Sequence, residues 1–186
     1  MDIKIPDFVS TYAEAEEIIK AQQHFRIGLC SCRKGRGKCG HSRPDVCLSF
    51  SEQIDFPEGE SRAVKLADAL ELVSYAREKH LVARPCWSLD VEGKMAGICF
   101  CCPDCCRFFT LNDKPCQKGA FIESTEIDNC LHCGQCVEIC YFGARKLDHG
   151  RLAIDRECCF GCGLCAAPCP VGCITMAKRT QAPEIL

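Results

Sequence analysis

Two copies of one cysteine spacing dominate the chemistry open to this chain: Cys130-x2-Cys133-x2-Cys136-x3-Cys140, and Cys159-x2-Cys162-x2-Cys165-x3-Cys169 followed by Pro170. Three thiolates spaced two residues apart wrap a loop around one face of an iron–sulfur cube, and a fourth is carried off by a helical turn toward a second cube. The two runs therefore fold together or not at all. The front of the chain adds Cys30, Cys32, Cys39 and Cys47 in a glycine-rich basic stretch, then Cys99, Cys101, Cys102, Cys105 and Cys106 in the run ICFCCPDCC. A structural free cysteine is usually isolated on an apolar face, so this clustering points to at least one further metal centre. The simplest assignment puts Cys30, Cys32, Cys39 and Cys47 on a third cluster, and four of Cys99, Cys101, Cys102, Cys105 and Cys106 on a fourth. A less simple one mixes ligands from both segments, because Cys30-x-Cys32 and Cys99-x-Cys101 are tight for one cube. Zinc is the rival metal here, since it takes Cys-x2-4-Cys knuckles, often with histidine, and His41 lies near Cys39. Cys86, Cys116, Cys158 and Cys173 read as extra small side chains, with Cys158 beside Cys159 a possible substitute ligand.

Composition supports metal ligation over a disulfide scaffold. The chain has 21 cysteines in 186 residues, an odd count, and its start, MDIKIPDFVS, lacks a basic segment leading into an apolar one. No apolar run approaches the length of a membrane span, so a soluble, cytoplasmic protein is expected. The formal charge of −2 treats every thiol as neutral. A cubane held by four thiolates adds negative charge, so the holoprotein is distinctly acidic, which disfavours nucleic acid and favours docking on a basic patch of a redox enzyme. The basic run Arg26, Arg33, Lys34, Arg36, Lys38 and Arg43 reads as charge that lowers thiol pKa values and offsets a bound centre.

The elements that must position these residues follow from periodicity. Residues 7–23 place Phe8, Tyr12, Ala15, Ile18 and Ile19 at helical spacing behind a possible Asp7 cap. The stretch after it, to Phe50, suits a loop wrapped on a metal. From Ser61 to His80, Val64, Leu66, Ala67, Leu70, Val73 and Ala76 predict a second helix behind a serine cap. Residues 107–120 read as a linker with Asn112, Asp113, Pro115 and Gly119. FIESTEI should be a short strand, ARKLDHGRLAID a hairpin turning at His149 and Gly150, and ITMAK the last strand. Residues 121–147 and 152–178 thus form an internal repeat. The fold class is α+β: a helix- and loop-rich cysteine-rich domain over 1–106, the linker 107–120, a small pseudo-twofold repeat over 121–178, and a tail over 179–186.

The last 60 or so residues resemble bacterial dicluster ferredoxins, in spacing and in the pair Cys169-Pro170. That resemblance implies two 4Fe-4S clusters, one on Cys130, Cys133, Cys136 and Cys169, the other on Cys159, Cys162, Cys165 and Cys140. Tyr141 stands where that family usually has proline after the fourth cysteine. Its restored N–H could reach a cluster sulfur, and His132, inside the first loop, could tune the same cluster. Around the clusters, Tyr141, Pro170 and His132 are thus expected to act as neighbours of the ligands. The front of the chain resembles larger ferredoxin-domain proteins with a Cys-x-Cys-Arg segment, a later Cys-Leu and a dense cysteine run, here Cys30-Ser31-Cys32-Arg33, Cys47-Leu48 and Cys99 to Cys106.

These readings imply a low-potential electron-transfer protein of polyferredoxin type, relaying single electrons through three or four 4Fe-4S clusters. Expected partners are a flavin, molybdenum or tungsten enzyme, or another ferredoxin, in a hetero-oligomer of anaerobic metabolism. The chain shows no catalytic triad, phosphate loop or dinucleotide fingerprint, so independent catalysis is not expected. Two alternatives stand beside this: a reductase or reductive activator using a special centre in the front half, and a dicluster ferredoxin with a zinc-stabilised docking domain.

Overall fold

The computed structural model describes residues 7–51, 56–57, 59–87, 94–111 and 116–180. The chain divides into two compact units, one running through Gln117 and the other starting at Lys118. The start MDIKIP, the predicted linker's Asn112, Asp113 and Pro115, and the end of the tail from 181 on lie outside the described residues.

In chain order, the first unit holds β1 (Asp7–Phe8), α1 (Tyr12–Lys20), β2 (Arg26–Gly28), α2 (Ser31–Arg36), β3 (Cys47–Ser49), β4 (Ser61–Ala63), α3 (Leu66–Glu78), β5 (Val82–Trp87), β6 (Met95–Cys101), α4 (Arg107–Thr110) and β7 (Cys116–Gln117). Its centre is a five-stranded antiparallel sheet in the order β4-β2-β3-β6-β5. A helix- and loop-rich domain is therefore corrected to a helix-on-sheet layer. The glycine-rich stretch after Gln23, read as loop, supplies β2, α2 and β3 to it. Residues 107–120 carry α4 and β7, and β7 pairs in parallel with β1.

Both front helices start later than their sequence signals suggest. Asp7 is a strand residue, and α1 is capped by Thr11, whose hydroxyl accepts from the Glu14 N–H while the Glu14 carboxylate accepts from Thr11 N at 2.8 Å. This reciprocal pairing satisfies two otherwise orphaned donors. Ser61 likewise lies in β4, and the Asp68 carboxylate accepts the Lys65 N–H at 2.9 Å to open α3. The apolar faces of α1 and α3 bury Ala15, Ile19, Ala69, Leu72, Val73 and Ala76 against Ile27, Leu48, Ala83, Ile98 and Phe100. Tyr12 Oη closes the packing by donating to the carbonyls of Ala76 and Leu81 at 2.9 and 2.6 Å.

Because side chains alternate along a strand, the residues between those core positions face the other side of the sheet. The register sets Gly28, Cys47, Cys99 and Arg84 in one row across β2, β3, β6 and β5. Cys101 and Cys86 lie on the same face. A Cβ on Gly28 would meet the Phe56 ring at 2.4 Å, so glycine is what admits that ring onto this face.

The second unit follows the predicted repeat. β8 (Phe121–Thr125) pairs antiparallel with β11 (Ile174–Lys178), and β9 (Arg145–Asp148) pairs with β10 (Arg151–Ile154). His149 and Gly150, at φ 47 and 76, form the turn between β9 and β10, the left-handed pair that a two-residue hairpin needs. Between the strands run the two cysteine loops, one with a 3-10 turn at Ile127–Asn129 and the short helix α5 (Gln135–Glu138), the other with 3-10 turns at Arg156–Cys158 and Leu164–Ala166.

Candidate metal centres

Each predicted ligand set of the second unit surrounds its own cavity. Cys130, Cys133, Cys136 and Cys169 line one, together with His132, Leu152, Pro170 and Cys173. Cys140, Cys159, Cys162 and Cys165 line the other, together with Phe142, Phe160, Arg145 and Glu123. In each loop a glycine with positive φ just before the third ligand's turn, Gly134 at 81 and Gly163 at 76, bends the chain back around the cavity. Burial pushes the Cys162 thiol up to about 12 and that of Cys165 up to about 11. Thiols so held stay protonated near neutrality unless a metal displaces the proton.

The neighbours of the ligands are held by the loops themselves. The Tyr141 N–H donates to the Ile139 carbonyl at 3.2 Å, a turn contact. His132 takes a left-handed φ of 52 and turns its backbone N–H to Cys130 Sγ at 3.4 Å. Its imidazole Nδ1 accepts from Leu152 N at 3.1 Å and so ties the loop to β10. Cys173, read as an extra, lies on the first cavity with its sulfur 3.5 Å from that of Cys169. Cys158 is exposed and donates to Asp155, Cys116 reaches the Gln117 carbonyl, and Cys86 donates to the Gly97 carbonyl.

Sequence reasoning missed Arg145. It is wholly buried on β9, donating to Cys136 Sγ at 3.4 Å, to Glu123 at 2.6 Å and to Thr125 at 2.8 Å. One guanidinium thus touches a sulfur of the first set and lines the cavity of the second. Glu123, equally buried, also receives Arg156 at 2.9 Å, so the group carries one net positive charge.

In the first unit the structure mixes the two front segments. The sulfurs of Cys39, Cys102 and Cys105 all lie within 4.8 Å of one another. Cys30 instead meets Cys32 and Cys47, Cys47 meets Cys99 across the β3–β6 pair, and Cys106 lies 3.1 Å from Cys101 with Cys32 also beside it. Burial works against ionisation of Cys39, yet hydrogen bonds from Cys105, the His41 amide, Arg33 and Cys102 outweigh it and draw its thiol down to about 7. Cys105, the donor to its neighbours, is raised, chiefly by burial.

Each of these groups has a buried arginine. Arg33, in α2, spans to the Phe100 carbonyl with both terminal nitrogens at 3.1 Å and lies against Cys102 and Cys39. Arg84 faces Cys101, Cys99 and Cys106, and pairs with Asp7 at 3.3 Å. The Nε atoms of both are buried without a hydrogen-bond partner among the described residues. A buried guanidinium needs a counter-charge, and thiolates bound to a metal supply one. The donor set and the orphaned nitrogens both fit a metal centre. The other basic residues predicted to offset it lie at the surface, Lys34 on Glu60, Arg36 on the Asp104 carbonyl, Arg43 on Asp45.

The thiol groups and the comparisons that follow mark an iron–sulfur protein with a ferredoxin-type domain. No protein-family profile matches the chain. Over 52 residues, 27% of the chain, it is 41% identical to an uncharacterized ferredoxin of Methanocaldococcus jannaschii, covering 31% of that protein. Over another 52-residue match it is 39% identical to the pyruvate synthase subunit PorD of Methanothermobacter marburgensis, 28% of this chain and 60% of that one. An archaeal-type glutamate synthase of Thermotoga is 33% identical over 61 residues, 32% of this chain and 12% of that one. The chain spans about a third of the first of these relatives and less than two thirds of each. Among the described residues no helix is long and apolar enough to cross a membrane.

Proposed function

We propose that the protein is an electron-transfer subunit that relays single electrons between a partner oxidoreductase and a second carrier. The observation that carries this reading is that each foursome, Cys130/Cys133/Cys136/Cys169 and Cys140/Cys159/Cys162/Cys165, lines its own pocket, with one buried guanidinium touching both. Bound there, two 4Fe-4S clusters supply one-electron storage at low potential. The chain's part is to hold them, exclude water and set their charge. Phe142 and Phe160, stacked at 4.4 Å, line the second pocket. Leu131 and Val171 stand exposed at the rim of the first, an apolar lip against which a partner can bring its own redox centre. A third cluster is assigned to the thiol face of the front sheet, among Cys30, Cys32, Cys47, Cys99, Cys101 and Cys106, opposite Arg84.

The relatives named as a pyruvate synthase subunit and as a glutamate synthase support a position beside a larger redox enzyme. The test is iron and acid-labile sulfide per chain after anaerobic purification, with electron paramagnetic resonance of the dithionite-reduced protein. About twelve of each and interacting reduced-cluster signals are expected for three cubanes. Fewer than about eight iron, or a protein that dithionite cannot reduce, would overturn the reading.

A further inference from the structure

We propose that Cys39, Cys102 and Cys105 form a single-metal site for a zinc-type divalent cation, separate from the iron–sulfur ligand sets. Sulfur spacing carries the argument. Cys102 lies 3.5 Å from Cys39 and 3.5 Å from Cys105, and all three sulfurs fall within 4.8 Å. Thiolates about 2.3 Å from one tetrahedral ion sit about 3.8 Å apart. In a cubane every thiolate binds its own iron, so the ligand sulfurs stand apart; among the described residues only these three close to within 4.8 Å of one another, the 3.1 Å contact of Cys101 with Cys106 being a pair.

The local chain is built as a zinc site is. Cys102-Pro103-Asp104-Cys105 is a Cys-x2-Cys knuckle. The Cys105 amide hydrogen-bonds the Cys102 sulfur, and the His41 amide that of Cys39. Asp104, inside the knuckle, straps the third ligand's loop to it. Its carboxylate accepts from Gly40 N at 3.1 Å and pairs with His41 Nδ1 at 3.1 Å, while its carbonyl accepts from Arg36 at 3.3 Å. Supports of this kind orient ligands and raise affinity. Charge closes as well: three thiolates on a divalent ion leave one negative charge, and the buried Arg33 guanidinium beside Cys102 and Cys39 cancels it. Three protein ligands leave the fourth position to water, reached past the half-buried Cys39.

The experiment is zinc and iron content of the full-length holoprotein, with absorption-edge structure at the zinc. The wild type should carry about one zinc, in a shell of three sulfurs at about 2.3 Å and one lighter atom. Cys39→Ser and Cys105→Ser should each lose that zinc with iron unchanged. Asp104→Asn, which keeps every thiol, should speed zinc extraction by a chelator about ten-fold. A wild type without zinc, a shell of four sulfurs, or iron lost on Cys39→Ser would overturn the site. Because zinc reports this site and iron reports the clusters, failure here leaves the electron-transfer reading standing, and the reverse.

Discussion

Replacing Arg145 by methionine should lower the potentials of both clusters of the second unit. The guanidinium lies 3.4 Å from Cys136 Sγ and lines the other cavity, with its side chain only 1% exposed. At about 6 Å from a cluster centre and an effective dielectric near 20, one charge is worth about 3 kcal/mol. For a one-electron couple that is about 120 mV. Glu123 opposes part of the field, so the expected fall is roughly 50 to 100 mV. Arg145→Lys keeps the charge and should move either potential by less than half as much. The same change strips Glu123 of one of its two cationic partners, which should cost about 3 kcal/mol of stability. Film voltammetry on the full chain reads the potentials, with iron content as the control for cluster retention. Potentials unchanged in the methionine variant at full iron content, or a lysine variant that falls as far, would refute an electrostatic role for this side chain.

Cys136→Ser should lose about four iron atoms or more, whereas Cys173→Ser, at a thiol on the same cavity but outside the ligand set, should keep them. Equal loss in both would sink the ligand assignment. Thiols held up to about 12 at Cys162 and about 11 at Cys165 must shed protons on ligation, so cluster reconstitution should improve steadily from pH 6.5 to 9. The sign reverses for the metal-free chain. Folded pKa values raised above the unfolded one contribute stability below about pH 9 that is lost as pH rises through 11 to 12, which alkaline unfolding of apoprotein would show. A reconstitution profile flat in pH would contradict the protonation argument. Arg84→Met should cost the loaded chain more stability than the metal-free one, because thiolates held on a metal add negative charge beyond the Asp7 carboxylate that the guanidinium already faces. Thermal unfolding of both forms reads the difference, and an equal loss in both would remove Arg84 from the centre.

The second unit was legible because its signals are local. Ligand spacing dictates the loops, alternation in FIEST dictates a strand, and His149-Gly150 supplies the left-handed turn. The first unit hid its sheet in strands too short to show a period. β2, β3 and β4 are three residues each and pair across gaps that no local pattern records. α1 and α3 were found by their apolar spacing, while their starts were misplaced because Thr11-x2-Glu14 and Lys65-x2-Asp68 are the actual caps. Cys39 meets Cys102 only because α2 ends in the left-handed Gly37 and Asp104 reaches back to Gly40. Of that contact the sequence shows only its ingredients.

The buried arginines were illegible for a different reason, and they say most about how the molecule works. Arg84 sits in the apolar strand VARPCW and Arg145 follows Gly143-Ala144, places where a charge reads as a misfit. Burying a guanidinium with too little counter-charge costs several kcal/mol, and no local pattern would predict that cost. It is recovered when the thiols become thiolates on a metal. Arg33, Arg84 and Arg145 therefore gain counter-charge when the thiols beside them bind metal, which couples folding to metal uptake at each thiol group. They also bias redox chemistry, because a fixed positive charge beside a ligand sulfur favours the more reduced, more negative state. Arg145 does this for two ligand sets at once. A change in charge on one set is felt at the same guanidinium as a change on the other, so the first electron to arrive should make the second harder to add.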